Sequence, residues 1–307
     1  MPSRPIEIRL GGYGPATTTF SRALKLIGDR LTAALGADVE VRYVWNIMDF
    51  GYKSEDIIWL VESGVLTLGY QSTSYFTDRV PEVGVLDLPF LFETREAART
   101  AMDGRLGEVL ARKIEAAMNH RILGYFENGF RHISNRLRSV RRPADLAGMT
   151  IRVLPSDIQV RTFELLGAVP LRMDLTEAIE RVRAGTIDAQ ENPLANTVTY
   201  GVHKFHRFHS LTGHFYLSRP IFLHRPSYDA WPSALKDAMG AAVREAVAFQ
   251  RDLAIAEEEN ALAEIKRAGC EVLTLDAAEH AAFVAAVQPL RAEAHKLYPQ
   301  ELLSLVP

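Results

Sequence analysis

Apolar and polar residues alternate through Ile6-Glu7-Ile8-Arg9-Leu10, which predicts a half-buried strand ending in the loop Gly11-Gly12-Tyr13-Gly14-Pro15. The period then changes, and Phe20, Ala23, Leu24, Ile27, Leu31 and Leu35 recur at helical spacing. Alternation returns at Val39, Val41 and Tyr43. Ser54 is expected to cap a helix carrying Ile57, Ile58 and Val61. Leu66 and Leu68 mark a third strand that opens into Gln71-Ser72-Thr73-Ser74-Tyr75. Strands alternating with helices in this way predict an α/β domain with a mainly parallel sheet.

A second series starts near Ile122-Leu123-Gly124-Tyr125-Phe126. It contains a short β-type stretch at 148–153, a helix from Ser156 to about Leu166 and a strand around Val169–Leu171. Asp174 followed by Glu177 resembles a capping box. Glu191-Asn192-Pro193 then breaks regular structure, because a proline disfavours helix at the residue before it. From about Ser233 to Lys266 there is no proline and only Gly240, with apolar residues at helical intervals. A helix of that length reaches on the order of 50 Å, more than one small domain across.

Against this pattern Arg152 stands out. In Gly148-Met149-Thr150-Ile151-Arg152-Val153 a guanidinium occupies a strand position where an apolar residue is expected. A half-buried charge is costly unless an anion meets it, and the planar fork of arginine suits a carboxylate. The anion is either an acid ligand or an internal partner, for which Asp145, Asp157 and Asp188 are the near candidates. Arg131, in Glu127-Asn128-Gly129-Phe130-Arg131, is expected in a loop at the C-terminal end of a strand, the edge where open α/β sheets bind ligands. It adds a second positive contact or simply faces water. Asn192 presents both a donor and an acceptor, and either orients a ligand or closes a turn before Pro193.

Composition narrows the functional classes. Across 307 residues, 48% are hydrophobic and 24% charged, ordinary globular values that allow about two domains. A net charge of −3 gives no electrostatic case for nucleic acid. The single Cys270 excludes an internal disulfide and a multi-cysteine metal site. His203, His206, His209 and His214 lack an H-E-x-x-H pattern and have no acidic residue among them, so no metal is expected. No G-x-S-x-G elbow, Walker loop or G-x-G-x-x-G fingerprint is present, and no residue is singled out as a nucleophile. Trp45, Tyr70, Tyr75, Phe215 and Tyr216 fall at expected strand ends or loops, where they wall a pocket or fill core. No apolar run approaches the about 18 residues of a membrane span. Met1-Pro2-Ser3-Arg4-Pro5 shows no hydrophobic signal region, so the expectation is either a removed signal or a cytoplasmic protein.

Several runs, in this order, resemble the extracytoplasmic solute-binding proteins of tripartite ATP-independent periplasmic (TRAP) transporters. They are Val85-Leu86-Asp87-Leu88-Pro89-Phe90-Leu91-Phe92, Glu127-Asn128-Gly129-Phe130-Arg131, Gly148-Met149-Thr150-Ile151-Arg152-Val153, Gln190-Glu191-Asn192-Pro193-Leu194 and Leu211-Thr212-Gly213-His214, followed by the long helix. The resemblance implies an α/β, two-lobed periplasmic-binding-protein-like fold with a ligand cleft at the hinge and the long helix spanning both lobes. Lobe I is then expected over 1–124 plus 211–250, and lobe II over 125–210 plus 251–307. It further implies that Arg152 is the carboxylate clamp, Arg131 a second cleft arginine and Asn192 a ligand-fixing amide. Gln71, Tyr13, Lys53 and Tyr216 match positions expected to face the pocket. Two departures stand out: a bulkier wall, Trp45-Asn46-Ile47-Met48-Asp49-Phe50-Gly51-Tyr52-Lys53, where many members have a Gly-Leu-Gly-type turn, and Asp174-Leu175-Thr176 where many show an aromatic.

The function implied is periplasmic capture of a small organic acid without chemistry or cofactor, and its delivery to TRAP membrane subunits. The alternatives are an acid-sensing receptor of the same fold, or a lyase or isomerase acting on an organic acid.

Overall fold

The structure is a computed structural model that describes residues 4–307. Met1–Ser3, the start of the segment read for a signal region, lie outside the described residues. In chain order the regular elements begin with β1 (Ile6–Gly11), α1 (Thr19–Leu35), β2 (Val39–Val44), α2 (Ile57–Glu62) and β3 (Leu68–Tyr70). Next come α3 (Arg95–Asp103), α4 (Arg105–Ala117), β4 (His120–Asn135), β5 (Thr150–Val153), α5 (Asp157–Leu165), β6 (Val169–Arg172) and α6 (Leu175–Arg183). The chain continues through β7 (Ala189–Asn192), α7 (Leu194–Thr199), β8 (Phe208–His224), α8 (Arg225–Ala230) and α9 (Ser233–Arg267). It ends with β9 (Glu271–Thr274), α10 (Ala277–Ala286), α11 (Gln288–Leu297) and α12 (Gln300–Leu303).

Residues fold into two compact units. The first comprises Met1–Ser72, Ala111–Glu127 and Ser218–Ile255; the second comprises Thr73–Leu110, Asn128–Leu217 and Ala256–Pro307. β4, β8 and α9 each contribute residues to both.

In the first unit, β1 pairs in parallel with β2 over six residues and with β3 at Leu10, while β3 pairs antiparallel with β8. α1 starts where the Thr18 hydroxyl accepts the Ser21 N–H, and its buried face is the predicted one, with Phe20, Ala23, Leu24, Ile27 and Leu31 inward. Asp56, rather than Ser54, is the N-cap residue of α2, and its carboxylate accepts the Lys53 N–H. Gly12 has no room for a side chain: a Cβ there would lie 2.8 Å from the Trp45 carbonyl oxygen. That close approach lets the Gly12 N–H reach Val44 and lets its carbonyl accept the Ile47 N–H.

In the second unit the strand order is β8-β4-β7-β5-β6, with β9 parallel to β8. β5 is parallel to both β6 and β7, and β7 is antiparallel to β4. Ile151, Val153, Ala189, Ile133 and Phe215 share one apolar cluster with Leu146, Phe163 and Phe283. Residues 73–110, expected with lobe I, belong to this unit. Their attachments explain why: the Ser74 hydroxyl donates to Asp87, the Gln159 amide donates to both, the Thr77 hydroxyl donates to the Pro155 carbonyl, and the Phe90 N–H donates to the His214 carbonyl.

One strand is longer than the pattern foretold. Glu127–Arg131, expected as a loop, is the interior of the 16-residue β4. Glu191 and Asn192, expected to break regular structure, instead complete β7 (Ala189–Asn192), which ends just before Pro193. Among the described residues, no helix is long and apolar enough to cross a membrane.

Candidate functional site

Strand alternation decides where the second unit's polar side chains go. Ile151 and Val153 enter the apolar cluster, so Arg152 leaves β5 on the opposite face, across from Gln190 of β7. On that face Arg152 is 1% exposed. Its Nε donates to the Met173 carbonyl at 3.1 Å and its Nη2 to the Tyr75 hydroxyl oxygen at 3.0 Å. The same Tyr75 oxygen accepts the Leu175 N–H at the start of α6, which fixes the ring relative to the arginine. Both acceptors are neutral, and among the described residues no carboxylate forms an ion pair with Arg152.

The three internal acids considered from the sequence are engaged elsewhere. Asp145 accepts the Arg141 and Arg142 N–H groups and pairs with the Arg142 guanidinium. Asp157 pairs with Arg172 at 2.8 Å. Asp188 pairs with Arg136 at 2.7 Å and accepts from the Thr150 N–H and hydroxyl. Burial alone would raise the Asp188 carboxyl; the Thr150 hydrogen bonds and the Arg136 charge outweigh it and hold the group below its ordinary range.

Arg131 is the opposite case. It leaves β4 on the face shared with Ile133 and Glu191, away from the Arg152 face, and it too is 1% exposed. Its Nε donates to Glu191 Oε2, and its Nη2 donates to Glu191 Oε1 at 2.7 Å and to the Glu191 carbonyl at 2.8 Å. The fork is thus closed by an internal carboxylate in two-point geometry. His214 Nε2 lies 3.5 Å from the same carboxylate. Burial pushes Glu191 upward, but Arg131 and then His214 overcome it, so the glutamate stays ionised well below its usual range. His214 is held neutral chiefly by burial.

The remaining candidates divide between the units. Asn192 ends β7 on the Arg152 face; its Nδ2 donates to Gln190 Oε1, and its Oδ1 accepts from Asn196, which also reaches Asn128. Tyr216 is buried with its ring 5.1 Å from Phe130 and 5.9 Å from Phe92. Arg131, Arg152, Asn192 and Tyr216 therefore share the second unit, whereas Tyr13, Lys53 and Gln71 belong to the first. Gln71 is buried, donating to the Ser54 carbonyl at 2.8 Å and accepting the Ser72 N–H. Tyr13 packs 5.2 Å from Tyr70. Lys53 faces solvent, 3.7 Å from Glu55.

Histidines give no metal centre: among the described residues no group of three or more His, Cys, Asp or Glu side chains is arranged to hold an ion. His206 bonds Ser134 and His209 bonds the His206 carbonyl, and burial lowers these two to about 3 and about 4. Sequence reasoning named Tyr75 only as a wall aromatic and passed over Glu191 as a counter-ion. It also missed Arg219, an arginine in the apolar run Leu217-Ser218-Arg219-Pro220-Ile221, although that signal is the one that drew attention to Arg152.

An α/β chain whose buried arginine is met by neutral acceptors only has the makings of a solute-binding protein. The family description "Bacterial extracellular solute-binding protein, family 7" (DctP) matches residues 11–297, and the chain belongs to that family of substrate-binding transport proteins, which are not enzymes. A solute-binding protein of Verminephrobacter eiseniae is 29% identical over 80% of this chain and 72% of its own length. The 2,3-diketo-L-gulonate-binding periplasmic protein of Escherichia coli is 30% identical over 70% of this chain and 65% of its own. The crystal structure of the sugar acid binding protein DctPAm of Advenella mimigardefordensis, in complex with galactonate, is similar with a TM-score of 0.93 and 26% identity, over 98% of this chain and 96% of that one. The likeness to TRAP solute-binding proteins read from the sequence thus holds across the chain.

Proposed function

We propose that this protein is the periplasmic receptor of a TRAP transporter, capturing a small hydroxylated organic acid whose carboxylate completes Arg152 and delivering it to the membrane subunits. One observation carries the reading: a guanidinium that is almost wholly buried has only a carbonyl and a phenol as partners, leaving its charge unneutralised. An isolated buried charge is strongly unfavourable, and a bidentate carboxylate is the partner that restores the balance. Tyr75 holds one arm of the fork in place before the acid arrives, which reduces the ordering required on binding. Asn192 and Gln190, on the same face, are proposed to orient hydroxyl groups. Arg131 is given no part in holding the acid, since its fork is closed by Glu191 on the opposite face. The ligands named for two relatives, galactonate and 2,3-diketo-L-gulonate, are acids of this class.

Calorimetric titration with galactonate and a panel of related acids tests the reading. A charge-assisted hydrogen bond contributes about 1.5–3 kcal/mol, so Arg152→Ala should weaken the cognate acid by roughly 10- to 150-fold. Arg152→Lys should recover part of that, because the charge remains while the fork is lost. Wild-type affinity in Arg152→Ala overturns the assignment.

A further inference from the structure

The two amides on the Arg152 face are held in place by α7. Asn196 Nδ2 donates to Asn192 Oδ1 at 3.1 Å and to Asn128 Oδ1 at 3.2 Å. Asn192 Nδ2 in turn donates to Gln190 Oε1 at 3.3 Å, and Gln190 Nε2 donates to Thr197 Oγ1 at 3.3 Å. This chain of hydrogen bonds leaves α7 at Asn196 and returns to it at Thr197, and all of its side chains are buried. A shift of α7 therefore displaces Asn192 and Gln190 together.

α7 has no local means of fixing its own start. It is six residues long, its N-cap is Pro193, and the cap makes no side-chain hydrogen bond. A helix this short is marginal without outside support. The support comes from Glu258 on α9, 64 residues away from Leu194 along the chain. Its Oε1 accepts the Leu194 N–H at 3.1 Å and its Oε2 accepts the Ala195 N–H at 3.2 Å. One carboxylate thus meets two of the N–H groups that a helix start leaves unpaired, at the positive end of the helix. The place is a costly one for a charge. Burial pushes the Glu258 carboxyl upward, the two N–H bonds and the charge of Arg95 pull it back, and Glu257 pushes it up again. His132 Nε2 lies 3.9 Å away but supplies no counter-charge at pH 7, because burial lowers that histidine to about 3.

We infer that Glu258 is a positioning residue for the acid site: by holding the first turn of α7 it sets the Asn192 and Gln190 amides for the hydroxyl groups of the ligand. The inference rests on the receptor reading above and deepens it. Discrimination among hydroxylated acids is then governed in part from α9, by a side chain that bonds to neither amide.

Calorimetric titration with galactonate tests this on the wild type, Glu258→Gln, Asn192→Ala and the double variant. The glutamine keeps the size of the side chain and one acceptor, but turns an NH₂ group toward the second N–H. Glu258→Gln should weaken galactonate about tenfold, and the double variant should bind no more weakly than Asn192→Ala alone, because side chains acting through one contact are not additive. A glutamate that only stabilised the fold would instead weaken the double variant by the product of the two separate losses. Should Glu258→Gln fail to fold, Glu258→Asp keeps the charge, withdraws it by one methylene and should show the same non-additive pattern. Wild-type affinity in the folded Glu258 variant, no loss in Asn192→Ala, or losses that multiply in the double variant each overturn the positioning role and leave the Arg152 reading intact. A wild type that binds neither galactonate nor 2,3-diketo-L-gulonate overturns both.

Discussion

Arg131 and Arg152 are equally buried, 21 residues apart in the chain, and electrostatically unlike. Arg131 is neutralised by Glu191, so the pair needs no guest. Removing one member of such a buried pair strands the other: Glu191→Gln should destabilise the protein by about 3–5 kcal/mol, measured by urea unfolding at pH 7. Arg152→Met removes a charge that nothing internal compensates, so the ligand-free protein should keep its stability or gain some while losing acid binding. Equal destabilisation by both substitutions would show that Arg152 has an internal counter-charge after all. This contrast marks how far the sequence was legible at single positions. Arg152 declared itself locally, as a charge in a four-residue strand. The partner of Arg131 lies 60 residues away, and no local pattern indicates which carboxylate the fold will bring to it.

At the level of elements, the alternations and helical periods of β1, α1, β2 and α9 were readable because each buries a regular apolar stripe. β4 was read short because its interior breaks that stripe. Glu127, Asn128 and Gly129 sit mid-strand, and polar residues there are tolerated only when something distant satisfies them. Gln250 of α9 does so for Glu127: its Oε1 accepts the Glu127 N–H at 2.9 Å and its Nε2 donates to the Glu127 carbonyl at 3.0 Å. Gln250→Leu should therefore leave two buried backbone groups unmet and destabilise by about 2–4 kcal/mol, read as a lower urea midpoint with unchanged slope. A neutral outcome would mean that water replaces the amide. Gly12→Ala should also destabilise, because the added Cβ would meet the Trp45 backbone oxygen rather than a movable side chain.

For the molecule as a whole, three buried or half-buried histidines make the fold sensitive to acid. His132, His206 and His209 are lowered to about 3, about 3 and about 4, in each case chiefly by burial, which disfavours the imidazolium. Each folded value lies below the ordinary 6.5, so the unfolded chain takes up these protons first as pH falls. The stability these groups confer is complete above pH 6.5 and is lost progressively below it, each histidine adding a slope of about 1.4 kcal/mol per pH unit until its folded value is reached. Asp87 and Glu258 work the other way, since burial raises both, and protonating them in acid relieves a penalty. As pH falls, the folded chain protonates these carboxyls before the unfolded chain does, so they offset part of the histidine slope. Between pH 7 and 5 the histidines pull the unfolding free energy down while these two carboxyls oppose them. In His206→Asn the fall should be shallower by about 1.4 kcal/mol per pH unit whatever the variant's stability at pH 7, because the buried titrating ring is gone while Ser134 keeps a polar neighbour. Urea unfolding at pH 7.0, 6.0 and 5.0 measures both slopes, and parallel lines for the two proteins would remove His206 from the account.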